Sequence, residues 1–299
     1  MIKLISALID YLVLIVSVTM LLLGIYAFWD SHQVYELASA DTYRQYRPET
    51  GNELSYEQLK EINSDVIGWI NVYGTKIDYP LLQGESNDTY INTTVEKKFS
   101  TAGSIFLDYR NNADFSDFNS IIYGHHMEKR LMFGDIDKFT AKKFFKKHKY
   151  GKLYVERARH GGRRRKGITF FAILKTHGSD STIFAPAIAD VAKRQSLVDY
   201  IYGNAIQSRR IDISPDDHII LLDTCTFTIT NGRYILAGRL DDKVHPDPFP
   251  AEDGNKYASL IEKVKRIPAY LWILLLILLL YIAYRIYERS RRKKANEES

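Results

Sequence analysis

Ile219-Ile-Leu-Leu-Asp-Thr-Cys225, a turn at Asn231-Gly232 and the run Arg233-Tyr-Ile-Leu-Ala-Gly-Arg-Leu240 form the segment from which the rest of the chain can be read. Four apolar residues in a row, Ile219 to Leu222, bounded by Asp217 and Asp223, predict a strand buried on both faces. Cys225 is expected just past its end, where a side chain can leave the core and meet a groove. Asn-Gly is a turn signal, so the chain should return as an antiparallel partner. Alternation along that partner sets Arg233, Ile235, Ala237 and Arg239 on one face, with Tyr234, Leu236, Gly238 and Leu240 on the other. The start of a return strand lies beside the end of the outgoing one, so Arg233 is the arginine near the thiol. Arg239 is about 20 Å further along, at roughly 3.3 Å per residue. A thiol beside a fixed guanidinium is a candidate nucleophile with an oxyanion partner.

Working outward, Cys225 is the only cysteine in 299 residues, so no intramolecular disulfide is possible. Tyr11 to Trp29 carries no charge, and Pro268 to Tyr284 is almost wholly Leu, Ile, Tyr and Trp. Each approaches the ~20 residues that cross a bilayer as a helix. The first run exceeds a typical signal-peptide core and lacks a small-x-small cleavage site, which favours an uncleaved anchor. Arg285, Arg289, Arg291, Arg292, Lys293 and Lys294 follow the second, and Lys3 precedes the first; basic flanks stay cytoplasmic. The expected layout is an anchor helix (1–29), an extracytoplasmic domain (30–240), a connector (241–266), a second transmembrane helix (267–285) and a basic cytoplasmic tail (286–299). The net charge of +5 is concentrated in that tail and in Arg157 to Lys166, which argues against nucleic-acid binding. The latter cluster reads as a solvated hairpin tip, with contact to anionic lipid or wall polymer as the sharper alternative.

Within the domain, Asp30 to Arg47 predicts a helix leading off the membrane, and Ser55-Tyr-Glu-Gln58 reads as a capping box for a short helix. Strands are expected at Asp65–Val72, Lys76–Gln83, Ser104–Asp108, Ser120–Tyr123, Lys152–Glu156 and Ile168–Thr176, besides the two already described. Pro80 predicts an edge position for the second of these. Leu131–His148 and Val191–Tyr202 carry helical spacing. About eight short strands, mostly joined as hairpins and decorated by three or four helices, make a β-rich barrel or sandwich.

A nucleophilic thiol needs a proton-transfer partner. Of eight histidines, His125 and His126 open a loop after the apolar run Ser120–Tyr123, and His177 follows the strand ending at Thr176. No Glu-x-x-His or Cys-x-x-Cys spacing supports a metal site, and no run of spaced carboxylates calls for calcium. A papain-like Gly-Ser-Cys-Trp setting is absent as well.

Taken together, Asp65-Val-Ile-Gly-Trp-Ile, Gly74-Thr-Lys-Ile-Asp-Tyr-Pro80, Ala102-Gly-Ser-Ile-Phe-Leu-Asp-Tyr-Arg110, Tyr123-Gly-His-His-Met127 and Leu222-Asp-Thr-Cys225 followed by Arg233 resemble a class B sortase. The resemblance runs from about Asp30 to Leu240. It implies an eight-stranded sortase β-barrel and a Gram-positive cell-surface transpeptidase that cuts an LPXTG-like sorting signal between Thr and Gly. It also implies that Cys225 is the nucleophile, that His125 rather than His126 is its acid–base partner, and that Arg233 steadies the oxyanion, with no cofactor. Asp223, Thr224 and His177 are candidate substrate contacts. A second span after the domain resembles the layout of pilin-polymerising sortases, although the Asp-Pro-aromatic lid of class C enzymes is missing from 30–60; Asp247-Pro-Phe249 lies after the domain instead. The expected partners are sorting-signal proteins or pilins and an acceptor amine, either a pilin lysine or, alternatively, the amine of a cell-wall precursor. A non-enzymatic two-span scaffold or adhesin is compatible with topology alone.

Overall fold

The computed structural model describes residues 2–48, 53–156, 164–226, 230–249 and 276–277. Packing divides the chain into Met1–Phe249 and Pro250–Ser299, and in the second unit only the helical pair 276–277 is described. The second predicted span and most of the basic cluster 157–166 therefore lie outside the described residues.

The first unit begins with helix α1 (Ile2–Leu37), unbroken past the expected boundary at residue 29. Its 36 residues rise about 54 Å at 1.5 Å each. Tyr11–Leu37 is long and apolar enough to cross a membrane, and the large side chains from Tyr11 to Leu23 are exposed. A short helix α2 (Ala40–Tyr43), capped by the Ser39 side chain, turns the chain onto the domain. Helix α3 (Glu53–Ile62) starts ahead of Ser55, so the predicted capping serine lies inside the first turn instead of at the N-cap.

Nine strands follow: β1 (Val66–Val72), β2 (Asp78–Leu82), β3 (Ile105–Leu107), β4 (Asn119–Tyr123), β5 (Tyr150–Val155), β6 (Arg164–His177), β7 (Ala205–Ser208), β8 (Ile219–Thr226) and β9 (Gly232–Asp241). Eight of them close a ring in the order β5-β1-β2-β3-β4-β8-β9-β6, with β6 pairing back to β5. Closure leaves the ring no free edge. The length of β6 makes this possible: its first half pairs with β5, a bulge between Phe170 and Ala172 turns it, and its second half pairs with β7.

Most consecutive strands pair antiparallel, as expected (β1–β2, β3–β4, β5–β6, β6–β7 and β8–β9), while β2–β3 and the non-consecutive β4–β8 pair in parallel. Two expectations are corrected. Pro80 is not on an edge strand, because β2 lies between β1 and β3. It is tolerated because β3 covers only Leu81 and Leu82, leaving the second side of Pro80 unpaired. Leu131–His148 is two pieces, a 3₁₀ turn at Ile136–Thr140 and helix α4 (Lys142–Lys147), separated by extended backbone at Ala141. Ile136, Phe139 and Phe145 still reach the core from the two pieces.

Alternation sorts the β8–β9 side chains as predicted. Ile220, Leu222, Leu236 and Leu240 join the main core, while Ile219, Leu221, Ile235 and Ala237 face outward. Helix α5 (Val191–Gly203), capped by Asp190, covers that outer row with Leu197, Val198 and Ile201. Cys225 and Arg233, at the end of that outward row, are only partly buried. At the far side, Gly74 makes the β1–β2 turn with φ +72°, and Phe249 packs where a side chain on Gly74 would stand. Phe249 stacks on His148, so residues up to 249 belong to the folded unit.

Candidate active site

Cys225 is the seventh residue of the eight-residue β8, within the strand and not beyond it, and it pairs with Arg233 across the β8–β9 ladder. Paired residues share a face, so Ile219, Leu221, Asp223 and Cys225 line up opposite Arg239, Ala237, Ile235 and Arg233. The thiol is partly exposed. It continues the outward row of β8.

The imidazole arrives from the other side of β8. Strand β4 runs parallel to β8, with Tyr123 beside Asp223, and the Gly124 amide donates to the Asp223 carbonyl at 3.1 Å. Two residues past each of those partners stand His125 and Cys225. His125 Nε2 lies 2.8 Å from the Ile91 carbonyl. A carbonyl only accepts, so Nε2 holds the proton and Nδ1 is the nitrogen left for proton exchange. Thus β8 carries the sulfur, β9 the guanidinium, and the loop that follows β4 the imidazole.

Asp223 links these parts electrostatically. Its side chain is 1% exposed and takes a hydrogen bond from Arg233 Nη1 at 3.2 Å. Burial pushes its carboxyl up to about 7, and the Arg233 charge only partly opposes that. Oδ1 of Asp223 and Nε of Arg233 are buried with no hydrogen-bond partner among the described residues. Arg233 is therefore anchored by one amino group and keeps donor capacity for another acceptor.

The sequence did not single out the supports around Tyr123. Its hydroxyl donates to Asp108 Oδ2 at 3.0 Å, and Asp108 also receives Arg110 Nε and Nη2 at 2.9 and 2.8 Å and Asn87 Nδ2 at 3.0 Å. Burial alone would raise Asp108, but bonds from Arg110, Asn87 and Tyr123 outweigh it and hold the carboxyl low. The Tyr123 hydroxyl is pushed well up, first by burial and then by Asp108 and Asp223. No local pattern marks such a set, since its members come from three separated segments.

The other candidates are placed apart. His126 turns away to Asp137, with Nε2 at 3.2 Å from Oδ2, and Arg130 pairs with the same carboxylate. They line a cavity of about 330 Å³ that reaches Thr226 and Tyr234 at the strand ends. Thr224 is fully buried and shares the inward parity of Leu222, so it lies on the opposite face of β8 from Cys225. His177 is exposed at the end of β6, opposite Gly232 and bonded to Ser179 Oγ at 2.7 Å. A larger cavity of about 480 Å³ lies on the β1–β5 side, between Trp69, Tyr73 and Tyr154. Cys225, His125 and Arg233 do not line it. Among the described residues no group of three or more His, Cys, Asp or Glu is arranged to hold a metal ion.

No family model matches the chain. A curated relative, Sortase B of Listeria monocytogenes, is 30% identical over 216 residues, covering 72% of this chain and 83% of the relative. The crystal structure of sortase B from the type II pilus of Streptococcus pneumoniae is 42% identical, with a TM-score of 0.53 over 62% of this chain and 98% of that one. A Streptococcus pyogenes class B sortase involved in pilus biogenesis is 38% identical, with a TM-score of 0.56 over 62% and 97%. The closed eight-stranded ring and the matched span agree with these likenesses, and the chain belongs to the class B sortases, cysteine transpeptidases.

Proposed function

We propose that this transpeptidase works through Cys225, His125 and Arg233, cutting an LPXTG-like sorting signal and passing the acyl group to a pilin lysine. The observation that carries the assignment is the register: Arg233 directly opposite Cys225 on β9, and His125 two residues beyond Tyr123 on the parallel β4. The Cys225 thiolate attacks the threonine carbonyl carbon. Arg233 donates to the oxygen as negative charge gathers on it. The C–N bond breaks, the His125 imidazolium gives its proton to the leaving amine, and a thioester remains. The acceptor amine then attacks the thioester carbon and yields a proton to neutral His125, an amide forms, and the thiolate leaves. Arginine suits this role because it stays charged in a partly dry groove, where a lysine can lose its proton.

Asp223 serves in this scheme as the anchor of Arg233. Thr224 is assigned no substrate contact, and His177 stands at the end of β6, one residue past Thr176, the partner of Arg233. Assembly of pilins is supported by the likeness to two pilus-associated sortases, over nearly the whole length of each. We further propose that residues 30–240 face outward between two spans, as the apolar run at 267–285 and the basic tail favour.

Incubating the full-length chain in detergent with an LPXTG-type peptide should give a mass adduct on Cys225, absent from Cys225→Ala. Adding a lysine-bearing pilin peptide or oligoglycine then identifies the acceptor. Release by the lysine peptide supports polymerisation, release only by oligoglycine supports anchoring to wall precursor, and no adduct at all overturns the mechanism.

A further inference from the structure

The loop that follows the two histidines holds a costly backbone. Lys129, Arg130 and Met132 all have positive φ, at 57°, 64° and 53°, and none is glycine. Side chains in the left-handed region clash with their own backbone, so such a run persists only where its surroundings impose it. The turn is tied directly to the histidine segment: the Phe133 amide donates to the His125 carbonyl at 3.0 Å, and His126 pairs with Met132 in an isolated bridge.

What holds the turn in place is the end of the N-terminal helix. Tyr35, in the last turn of α1, donates its hydroxyl to Glu128 Oε2 at 3.0 Å. The Lys129 ammonium sits 3.8 Å from the Tyr35 ring centre. The buried Tyr79 of β2 makes a second tie: its hydroxyl donates to the Ala38 carbonyl at 2.9 Å and accepts the Met132 amide, also at 2.9 Å. Lys76 adds a bond from Nζ to the Lys129 carbonyl at 3.1 Å. A backbone carbonyl at the end of the membrane-proximal helix is therefore one tyrosine hydroxyl away from the strained turn.

We propose that residues 34–43 are a positioning element for the histidine segment, holding the turn 128–132 through Tyr35 and Tyr79 so that His125 stays aligned beside β8. Neither tyrosine touches the reacting atoms. They act through the loop, and the element that leaves the membrane is thereby coupled to the acid–base group of the site.

The test uses the full-length chain in nanodiscs with histidine labelled for ¹H–¹³C NMR. Tyr79→Phe keeps the buried ring and removes the hydroxyl that bridges Ala38 and Met132. Its His125 and His126 ring resonances should shift, while those of His218 and His245, on other parts of the fold, stay in place. With an LPXTG-type peptide its kcat should fall about tenfold and KM stay within about threefold. Tyr35→Ala should move the same two resonances, and Tyr35→Phe, which keeps the stack on Lys129, should move them less. The idea is overturned if Tyr79→Phe leaves both resonances and kcat at wild-type values, or if all histidine signals change alike, as in general loosening. Should Tyr79→Phe fail to fold, the graded Tyr35 pair decides, and unmoved His125 and His126 signals in Tyr35→Ala overturn it. Lack of peptide turnover in the wild-type chain would count against the sortase mechanism instead, and the resonance shifts would still be read.

Discussion

Replacing Asp223 by asparagine keeps the shape of the side chain and an oxygen toward Arg233 while removing the charge. Burial lifts this carboxyl from the ordinary 3.8 to about 7. At 1.36 kcal/mol for each tenfold change, that corresponds to roughly 4 kcal/mol spent on holding the ionised form in the fold. The sign follows from proton counts. Between about pH 4 and 7 the folded state keeps a proton that the unfolded state has released, so stability falls as pH rises across that window, and the whole cost is present above it. An asparagine carries no such cost. That figure already includes the opposing pull of Arg233, whose side chain is 30% exposed, and solvent screening there halves the expected gain to ~2 kcal/mol at pH 8. For a domain of this size that raises Tm by about 4–8 °C. The gain should vanish near pH 4, where both chains carry a neutral group. Catalysis should move the other way: without the anionic anchor Arg233 is less well aimed, and kcat should drop about tenfold with KM little changed. Thermal unfolding of the full-length protein in detergent, followed by near-ultraviolet circular dichroism at pH 4, 6 and 8, measures the first effect. A variant that is less stable than wild type by the same margin at every pH would refute the reasoning, since the ion pair would then be a net stabiliser.

Arg233→Lys should cost about 10²-fold in kcat, because an ammonium cannot bond Asp223 and a substrate oxygen with one rigid fork; steady-state peptide cleavage checks this, and a near-wild-type rate contradicts it. Leu221→Ala, beneath α5 and fully buried, should lower stability by about 2–5 kcal/mol in a denaturant titration while leaving KM intact. Asp180→Asn should destabilise the chain at pH 7. Burial raises that carboxyl, but Thr176, Tyr200 and the amides of Ile183 and Thr182 outweigh it and hold it low, so its contribution is full above the unfolded value near 4 and is lost as pH falls through the folded one. The stability gap between the two chains should accordingly close on acidification, which unfolding curves from pH 7 to pH 2 would record.

The parts of the site that were legible in the sequence are those governed by local rules. The antiparallel return and two-residue alternation bring Arg233 to Cys225; the expected Asn-Gly turn is shifted, since Gly232 is already the first residue of β9, opposite Thr226, and Asn231 just before it takes the left-handed conformation at φ 51°. The apolar runs of β4 and β8 announce buried strands. Nothing in either run says that they lie side by side and parallel, because identical faces suit many partners. The position of His125 and His126 after the β4 run was legible, but the parallel pairing that sets that strand beside β8 was not. Strand β7 escaped notice because only one of its sides is paired and Ile206 is exposed, so it has no apolar run to detect. Leu131–His148 has apolar residues near helical intervals, yet two short pieces meeting at an extended Ala141 place Ile136, Phe139 and Phe145 in the core just as well. Periodicity records which residues are buried and is silent on the backbone path that buries them.

The choice between His125 and His126 shows the same division at the scale of one residue. Both are partly buried, both follow the same strand, and either could serve a nearby thiol on composition alone. Their partners separate them. The β4–β8 ladder ends at Tyr123–Asp223; two residues on, His125 Nε2 bonds the Ile91 carbonyl, whereas His126 turns to Asp137. Its imidazole is there held between a carboxylate and the strained turn, where it can brace the loop. In the proposed mechanism His125 is the proton carrier, and His126 helps to hold its loop. Exchanging the order, by His125→Asn or by His126→Asn, should accordingly give unlike results. The first should remove acylation almost entirely. The second should cost no more than about tenfold in kcat, and equal losses from both would refute the division.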